Sequence, residues 1–356
     1  MRIDAEHQSL IITEDELAAV AAELKLPRNK LTLINAQFGM KSGERAMKDF
    51  DGLPGWARDV YRQSIIGIAS PAQTARINIA FPNRTVSQLA LAWDRNDVNI
   101  ITVVSRMGGE MALKQVTAAQ AQDLIGRPLE IDKVKSAAGV NLTIPAVALI
   151  TWLAVIDYAQ YDWYVSMLKH SEPADSFTLD EIWERLQDAA GGDYRWPLPF
   201  FFSVFPVDVS GRLSEKELST SLGYLSRMGL LTGDDGSVDG DSVYTLSTEG
   251  SAIAGSFISG GTRLAMTISA PAGGETGYEI LMFVRGSDDL WLFDLSGNKG
   301  AVAGLGPGSF NSVINTLFMQ GEQMQQAGTP SCSYCGKKTQ PGDEFCPECG
   351  KPLKTK

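Results

Sequence analysis

The chain has only four cysteines, and all of them fall within its last 25 residues. They form two C-x-x-C pairs separated by ten residues: Cys332 with Cys335, and Cys346 with Cys349. Thiolates three positions apart on a tight turn can share one metal ion, and two such pairs complete a tetrahedral site. The spacing therefore predicts one structural Zn²⁺ held by these four residues.

The residues that flank the cysteines favour the same metal site. Glycine and lysine follow each pair, as Gly336 and Lys337 and as Gly350 and Lys351. Backbone N–H groups can then turn toward the sulfurs, and positive charge offsets the dianionic centre. Two disulfides, or a redox-active C-x-x-C, are the other interpretations of the pattern. Four cysteine ligands leave no coordination position open, so catalysis at the metal is not expected.

The segment Phe-Cys-Pro-Glu-Cys-Gly at 345–350 resembles the second knuckle of the zinc-ribbon family. The resemblance implies a small β-turn module built around zinc. It implies no activity, because zinc ribbons serve as protein docks, as nucleic-acid contacts or as plain staples.

The charge of the remaining chain limits its partners. The net charge is −11, from 31 basic and 42 acidic residues. From residue 331 onward lysines outnumber acidic residues five to three, so the preceding residues carry a net charge of −13. This balance does not favour a broad nucleic-acid-binding face on the body of the protein.

Three features predict a cytoplasmic protein without membrane insertion. The first residues, Met-Arg-Ile-Asp-Ala-Glu, lack the basic and then apolar pattern of a secretory signal. The longest apolar run, residues 144–156, is shorter than the roughly 20 residues of a membrane helix and predicts a buried helix instead. Cysteines gathered in one metal motif fit a reducing compartment.

Helix and strand signals predict an α+β fold. Capping boxes that begin at Thr13, Thr178 and Ser214 mark helix starts, and Thr117, Thr143, Thr248 and Ser309 are further predicted caps. Side chains alternate, as in antiparallel strands, at 76–81 and 89–93 and again at 264–268. Residues 98–104, 111–116, 279–284 and 290–295 are further predicted strands. We therefore expect a first α+β half at 1–135, a second half at 136–320, a flexible tether at 321–330 and the ribbon at 331–356. Within the second half, residues 197–206 predict an aromatic loop, and residues 214–257 predict a winged-helix-like segment.

The two halves repeat the same order of elements, which indicates an internal duplication; a chance recurrence is the alternative. An offset of 187 places Arg76 on Arg263. An offset of 192 places Asp97 on Asp289, Ile100 on Leu292 and Thr117 on Ser309.

Two short motifs add to this duplicated order. Ile-Ala-Ser-Pro at 68–71 leads into the first strands, and Leu-Ala-Leu-Ala-Trp at 89–93 forms one of them. With these motifs the body, residues 10–320, resembles the EspG-type chaperones of mycobacterial type VII secretion. The resemblance implies a soluble, cytoplasmic, two-halved α+β protein that holds a secreted substrate. It carries over no binding residue.

No motif identifies a catalytic or cofactor-binding residue. His7 and His170, the two histidines, are predicted to be surface residues. The glycine-rich segment 304–309 is predicted to be a turn and not a phosphate loop, because Pro307 lacks an N–H and no lysine follows at the expected offset. The acidic residues at 234–241 predict a solvated hairpin and not a calcium loop.

The sequence thus predicts a non-catalytic adaptor or chaperone-like protein that binds protein partners and uses the ribbon as a second contact. The first alternative is a DNA-binding regulator that uses the winged-helix-like segment and the ribbon. Its presumed recognition helix offers only Lys216 and Arg227 against Glu215 and Glu217, so nucleic acid is not the favoured partner. The second alternative is a hydrolase that uses carboxylates, since paired acids cannot be located from sequence.

Overall fold

A computed structural model describes residues 1–34, 43–83, 85–93, 100–135, 139–189, 192–205, 213–233, 242–259, 261–272 and 275–319. Within these residues the fold is the predicted α+β arrangement, with two similar halves joined in one large antiparallel sheet. A second, three-stranded sheet belongs to the winged-helix-like segment. No helix in the described ranges is both long enough and apolar enough to cross a bilayer.

The first half consists of an edge hairpin, three helices, four consecutive strands and a fourth helix. These are β1 (Arg2–Asp4), β2 (Ser9–Thr13), α1 (Glu14–Glu23), α2 (Gly43–Asp51), α3 (Gly55–Ala69), β3 (Gln73–Ala80), β4 (Val86–Trp93), β5 (Ile101–Met107), β6 (Glu110–Val116) and α4 (Ala118–Gly126). Two 3₁₀ turns, Arg127–Leu129 and Ile131–Lys133, follow α4.

The second half repeats this order with a larger helical insertion. Its elements are β7 (Asn141–Pro145), α5 (Ala146–Lys169), β8 (Phe177–Thr178), α6 (Leu179–Asp188), α7 (Pro197–Phe202), α8 (Glu215–Arg227), β9 (Leu231–Gly233), β10 (Val243–Leu246), α9 (Thr248–Ile258), β11 (Arg263–Ala272), β12 (Glu275–Arg285), β13 (Leu290–Ser296), β14 (Lys299–Gly304) and α10 (Pro307–Met319).

The strand order of the large sheet shows how the halves are related. It runs β1-β2-β6-β5-β4-β3-β11-β12-β13-β14-β7. In each half the strand before the first helix, β2 or β7, pairs with the last strand of the meander, β6 or β14. The first meander strands, β3 and β11, pair with each other at the centre. The two halves are therefore related by a local twofold axis.

The register of the central pair agrees with the predicted offset of 187. Arg76 opposes Thr267, and Arg263 opposes Ala80. The offset carries Arg76 onto Arg263 and Ala80 onto Thr267, so it exchanges the two pairs. That exchange is what a twofold axis between β3 and β11 requires.

The second predicted offset, 192, is wrong for β5 and β13. Ile101 and Val103 of β5 share one core face with Leu290 and Leu292 of β13, whereas Ile100 precedes β5 and is 45% exposed. Side chains alternate between the faces of a strand, and the residues that face this core have odd numbers in β5 and even numbers in β13. An even offset therefore matches residues that point to opposite faces. An odd offset is needed here, as in the central pair. Asp97 lies outside the described residues.

Helices cover both faces of the sheet. One face packs against α4 and α10. The other face packs against α1, α2 and α3 in the first half and against α5 and the helices around it in the second half. This division places the large helical insertion on one side of the second half.

The buried helix predicted from residues 144–156 is confirmed as part of α5. Its side chains from Trp152 to Asp157 are all 0% exposed. Thr143 does not cap this helix, because it lies in β7 opposite Ala301, and Pro145 occupies the N-cap position. The prediction of Thr143 as a cap is therefore wrong: its backbone is used by the sheet.

Four of the predicted helix starts are confirmed. Each is a capping box in which the first side chain accepts from the backbone N–H three residues later, at Thr13, Thr117, Thr178 and Ser214. A cap of this kind contributes about 1 kcal/mol, and it acts within four residues. Local sequence is therefore sufficient to find it.

Three other local predictions are wrong. Ser247, and not Thr248, caps α9. Helix α10 begins at Pro307, so Ser309 lies inside its first turn; proline is favoured at the first helical position. Residues 197–206, expected to form a loop, contain α7, whose Phe200 is buried against the core.

The elements expected in the winged-helix-like segment at 214–257 are present as α8, β9, β10 and α9. Strand β8, which precedes that segment in the chain, pairs with β10, so the small sheet has the order β8-β10-β9. Leu218, Leu222 and Leu225 of α8 are fully buried, and α8 packs against α5. The acidic turn at 234–241 lies outside the described residues.

Candidate functional site

The predicted zinc ligands, Cys332, Cys335, Cys346 and Cys349, lie outside the described residues. Elsewhere, in the part of the chain that the structure describes, no group of three or more His, Cys, Asp or Glu side chains could hold a metal ion. The best candidate site in this part is a cavity in the second half.

Both histidines are on the surface, as predicted. His7 is 68% exposed, and its Nδ1 lies 2.9 Å from Asp4 Oδ2; this hydrogen bond lowers the pKa of Asp4. His170 follows the last turn of α5 with a left-handed backbone (φ 54°).

The cavity has a volume of about 650 Å³. It lies between the second half of α5, the segment 192–196 before α7, the β3–β4 hairpin and the start of β11. Its apolar lining consists mainly of Phe81, Val86, Tyr161, Tyr164, Leu168 and Trp196. We call it the aromatic cavity. Its size is typical of a site that takes a few side chains of a partner or a small ligand.

Three aromatic rings form one wall. Trp196 meets Tyr161 edge-on at a centroid distance of 5.7 Å and Tyr164 at 6.0 Å. Tyr161 and Tyr164 are three residues apart on α5, so they share a face of that helix. Edge-on ring pairs hold one another in a fixed orientation, so this wall is preformed.

A buried ion pair supports the wall from behind. Asp157 is 0% exposed, and its Oδ1 accepts hydrogen bonds from Nε and Nη2 of Arg185, the first at 2.9 Å. Its Oδ2 accepts from the backbone N–H of Leu198 at 3.1 Å. The same guanidinium lies 4.7 Å from the ring centre of Tyr161 and 5.2 Å from that of Trp196. Arg185 thus links α5, α6 and the start of α7 and fixes two rings of the wall.

The polar groups of the cavity centre on Arg263. Its Nη2 donates to the backbone carbonyl of Arg195 at 2.6 Å, and its guanidinium lies 5.6 Å from the ring of Phe200. Its Nη1 is closed off from solvent and has no hydrogen-bond partner among the described residues. Burial lowers the pKa of Arg263 to about 10, because the charged form is poorly solvated there.

Gln160 is the second polar group without a full set of partners. The residue is 3% exposed, and its side-chain amide oxygen has no partner among the described residues. It lines the aromatic cavity one residue before Tyr161. An unsatisfied buried acceptor costs about 1–3 kcal/mol, so a donor that enters the cavity would relieve this cost.

The mouth of the cavity is apolar and exposed. Leu168 is 81% exposed, and Tyr161 and Val86 are each 40% exposed. Large apolar side chains that surround a concave surface and remain in water mark a binding surface more often than an isolated exposed residue does. The aromatic cavity is therefore a candidate docking site.

The carboxylate alternative has one observation in its favour. Glu279 and Asp294 lie on adjacent strands, β12 and β13, and burial raises the pKa of Glu279 to about 7, with a further contribution from Asp294. Burial also raises the pKa of Asp294. Neither residue lines the aromatic cavity, so the described residues do not combine this pair with a substrate-sized site.

The DNA-binding alternative gains no basic surface in the described residues. The first turn of α8 exposes Glu215, Lys216 and Glu217 together, and Arg227 is the basic residue of its last turn. Acidic groups at the start of a helix repel phosphate.

Comparisons with known proteins concern the ribbon and the chain as a whole. Residues 328–353 match the zinc-ribbon domain family. The match contains all four cysteines and covers a small part of the chain. The predicted resemblance to this family is confirmed. The four cysteines fit the zinc ion that gives the family its name, since four thiolates in two C-x-x-C pairs suit tetrahedral zinc.

The chain is also similar to a chaperone of known structure. This chaperone is EspG5 of the Mycobacterium tuberculosis type VII secretion system, determined in complex with a PE25–PPE41 dimer. The TM-score is 0.43 at 12% sequence identity, over 87% of this chain and 95% of that one. EspG5 is a chaperone of the EspG type, which the sequence resembles. A comparison with curated proteins finds no match.

Sequence reasoning missed the aromatic cavity. Aromatic residues at 158–164 and 194–196 are visible in the sequence, but about 30 positions separate the two groups. Arg263 is farther away still and stands out in the sequence only as the repeat of Arg76. No local pattern shows that these segments meet around one cavity.

Proposed function

We propose that this protein is a non-catalytic adaptor that binds a protein partner in the aromatic cavity. The observation that carries the proposal is the preformed wall of Tyr161, Tyr164 and Trp196 beside an exposed apolar mouth. Tyrosine, tryptophan and arginine are the residues that contribute most at protein interfaces. They are rigid here, so little conformational entropy is lost when a partner binds.

The edges of the large sheet are less suitable for a partner. Edge strand β1 has three residues, and the other edge strand, β7, ends in Pro145. Short edges and proline are features that prevent another strand from being added. A groove between helices and sheet is therefore the preferred mode of binding over strand addition.

The ribbon is proposed to supply a second contact. Cys332, Cys335, Cys346 and Cys349 would hold one Zn²⁺, which would fold the ribbon and serve no catalytic step. The tether at 321–330 would let it move over about 15–20 Å. Two linked weak contacts raise the effective concentration of each. We place the protein in the cytoplasm, where a four-thiolate site stays reduced.

The cavity is tested by a pair of substitutions on adjacent residues of α5. Leu168 lines the cavity, whereas Met167, which is 54% exposed, does not. Both can be changed to glutamine without loss of buried surface. Leu168→Gln is expected to weaken partner binding about tenfold, because it removes an apolar contact worth about 1.5 kcal/mol, and Met167→Gln is expected to have no effect.

The measurement is quantitative affinity purification from the source cells, followed by titration of the recovered partner. A shortened chain that ends at Gly328 tests the ribbon in the same assay. Equal yields with Leu168→Gln and Met167→Gln would rule out the cavity as the docking site. Equal yields with and without the ribbon would show that the ribbon is not a second contact.

A further inference from the structure

The three arginines around the aromatic cavity differ in their ion pairs. Arg185 is paired with Asp157 and also lies 3.8 Å from Asp188. Arg195 donates from Nε to both oxygens of Asp193 at 2.9 Å, and this bonding lowers the pKa of Asp193. Arg263 has no ion pair within 4.0 Å among the described residues, and Asp157 and Asp193 act on its charge only at longer range.

A buried guanidinium without an ion pair is unusual. The whole chain carries a net charge of −11, yet Arg263 has no ion pair among the described residues and lies on a largely apolar wall. Coulomb interactions are stronger next to such a wall than in open water. A carboxylate that enters the cavity would thus be attracted to Arg263. Contact with Nη1 itself needs a change in the rotamer of Arg263, because that atom is closed off from solvent; side-chain changes of this kind are common on binding.

The unsatisfied groups also define a hydrogen-bonding pattern. Arg263 offers a donor at Nη1, and Gln160 offers an acceptor at its amide oxygen. A peptide backbone has a carbonyl and an N–H to match such a pair, whereas a purely apolar ligand has neither. The aromatic wall between them suits a large apolar side chain.

We infer that the aromatic cavity binds a peptide segment in which an aromatic or large aliphatic side chain stands next to a carboxylate, with Arg263 as the residue that selects the carboxylate. The inference rests on the proposed function and adds the chemistry of the partner. In this arrangement the apolar side chain lies against Tyr161 and Trp196. Gln160 accepts from the peptide backbone.

The test is selection of peptides from a random heptapeptide display library on immobilised full-length protein. We expect enrichment of Phe, Trp or Leu with Asp or Glu at the next position. A synthetic peptide of this kind should bind about tenfold more tightly than its Asn or Gln analogue, because a charge-assisted hydrogen bond is lost in the analogue. Fluorescence anisotropy measures the pair.

Three variants make the assignment specific. Arg263→Gln should remove the preference for the acid, and Arg263→Lys should keep it because the charge remains. Arg76→Gln is the matched control, since Arg76 is the repeat of Arg263 and is exposed on the other half. Each variant is first compared with the wild type by thermal melting. If Arg263→Gln does not fold, Arg263→Met, which removes the charge but keeps an apolar stem, replaces it in the comparison of the acid and amide peptides.

The outcomes separate the inference from the proposed function. Apolar peptides without an acidic preference, or an acidic preference that survives Arg263→Gln, would overturn the inference and leave the docking site standing. If the wild-type protein enriches no peptides relative to the Leu168→Gln variant, both the inference and the proposed function are overturned. An acidic preference that disappears only in Arg263→Gln supports both.

Discussion

The buried pair of Asp157 and Arg185 permits a quantitative prediction. Asp157 is fully buried, and the Arg185 side chain is 13% exposed. Substitution Asp157→Asn removes the negative charge but keeps an oxygen for the backbone N–H of Leu198. The guanidinium is then left in a poorly solvated position with only the longer contact to Asp188, an exposed carboxylate 3.8 Å away.

The expected cost follows from these contacts. Removal of one partner of a buried ion pair costs about 3–5 kcal/mol, and a neutral hydrogen bond retained by Asn restores about 1 kcal/mol. Asp157→Asn should therefore destabilise the protein by about 2–4 kcal/mol. In the double variant Asp157→Asn/Arg185→Met no buried charge is left, and methionine fills the space beside Tyr161 and Trp196. Its stability should return to within about 1–2 kcal/mol of the wild type.

The assay is urea denaturation followed by both far-ultraviolet circular dichroism and tryptophan fluorescence. Coincidence of the two transitions justifies a two-state free energy. The control is Arg195→Met, which breaks the Arg195–Asp193 pair, where the side chains are 58% and 40% exposed; it should cost far less than Asp157→Asn, because exposed ion pairs contribute little to stability. If Asp157→Asn costs no more than this control, or if the double variant is as unstable as the sum of the single ones, the reasoning is refuted.

Three further predictions concern other parts of the molecule. The ordinary pKa of Glu279, 4.5, rises to about 7 in the folded protein, so the folded state favours the protonated form. The contribution of Glu279 to stability should therefore be fully present below about pH 4.5 and decrease by about 2–3 kcal/mol as the pH rises to 7. Urea titrations at pH 5 and pH 8 should show that Glu279→Gln removes most of this fall; an unchanged pH dependence would contradict burial of the carboxylate. Purified protein should contain one zinc per chain by mass spectrometry. Cys346→Ser should lower that zinc content and expose thiols to DTNB, and the melting temperature of the body, residues 10–320, should not change. Ser214→Ala should lower the thermal stability by about 1 kcal/mol through loss of the α8 cap, and an unchanged melting temperature would show that the cap contributes nothing.

Features that depend on a few neighbouring residues could be read from the sequence. The capping boxes at Thr13, Thr178 and Ser214 act over three positions, so their chemistry is complete within the local sequence. The winged-helix-like order and the buried helix could also be predicted, because apolar periodicity is a property of a continuous segment. The zinc ligands belong to the same class, and their site remains a prediction.

Features that depend on long-range packing could not be predicted. The cavity needs Gln160, Trp196 and Arg263 to meet, and they come from three elements separated by tens of residues. The same reason explains the error at Thr143, whose capping chemistry was outweighed by strand pairing with Ala301. It also explains why the offset of 192 failed: hairpin lengths change between the halves, and only the pairing shows which residues share a face.

The pairing of β3 with β11 predicts how the first half of this chain would behave if it were expressed alone. β3 and β11 form a ladder of seven residue pairs, in which Asn78 lies opposite Ala265. Those two residues are related by the offset of 187, so the register is one that two copies of β3 can adopt with each other. A first half expressed alone would expose β3 as an unpaired edge, and antiparallel pairing centred on Asn78 would join two copies in a symmetric dimer. The full-length chain builds that dimer interface within a single polypeptide.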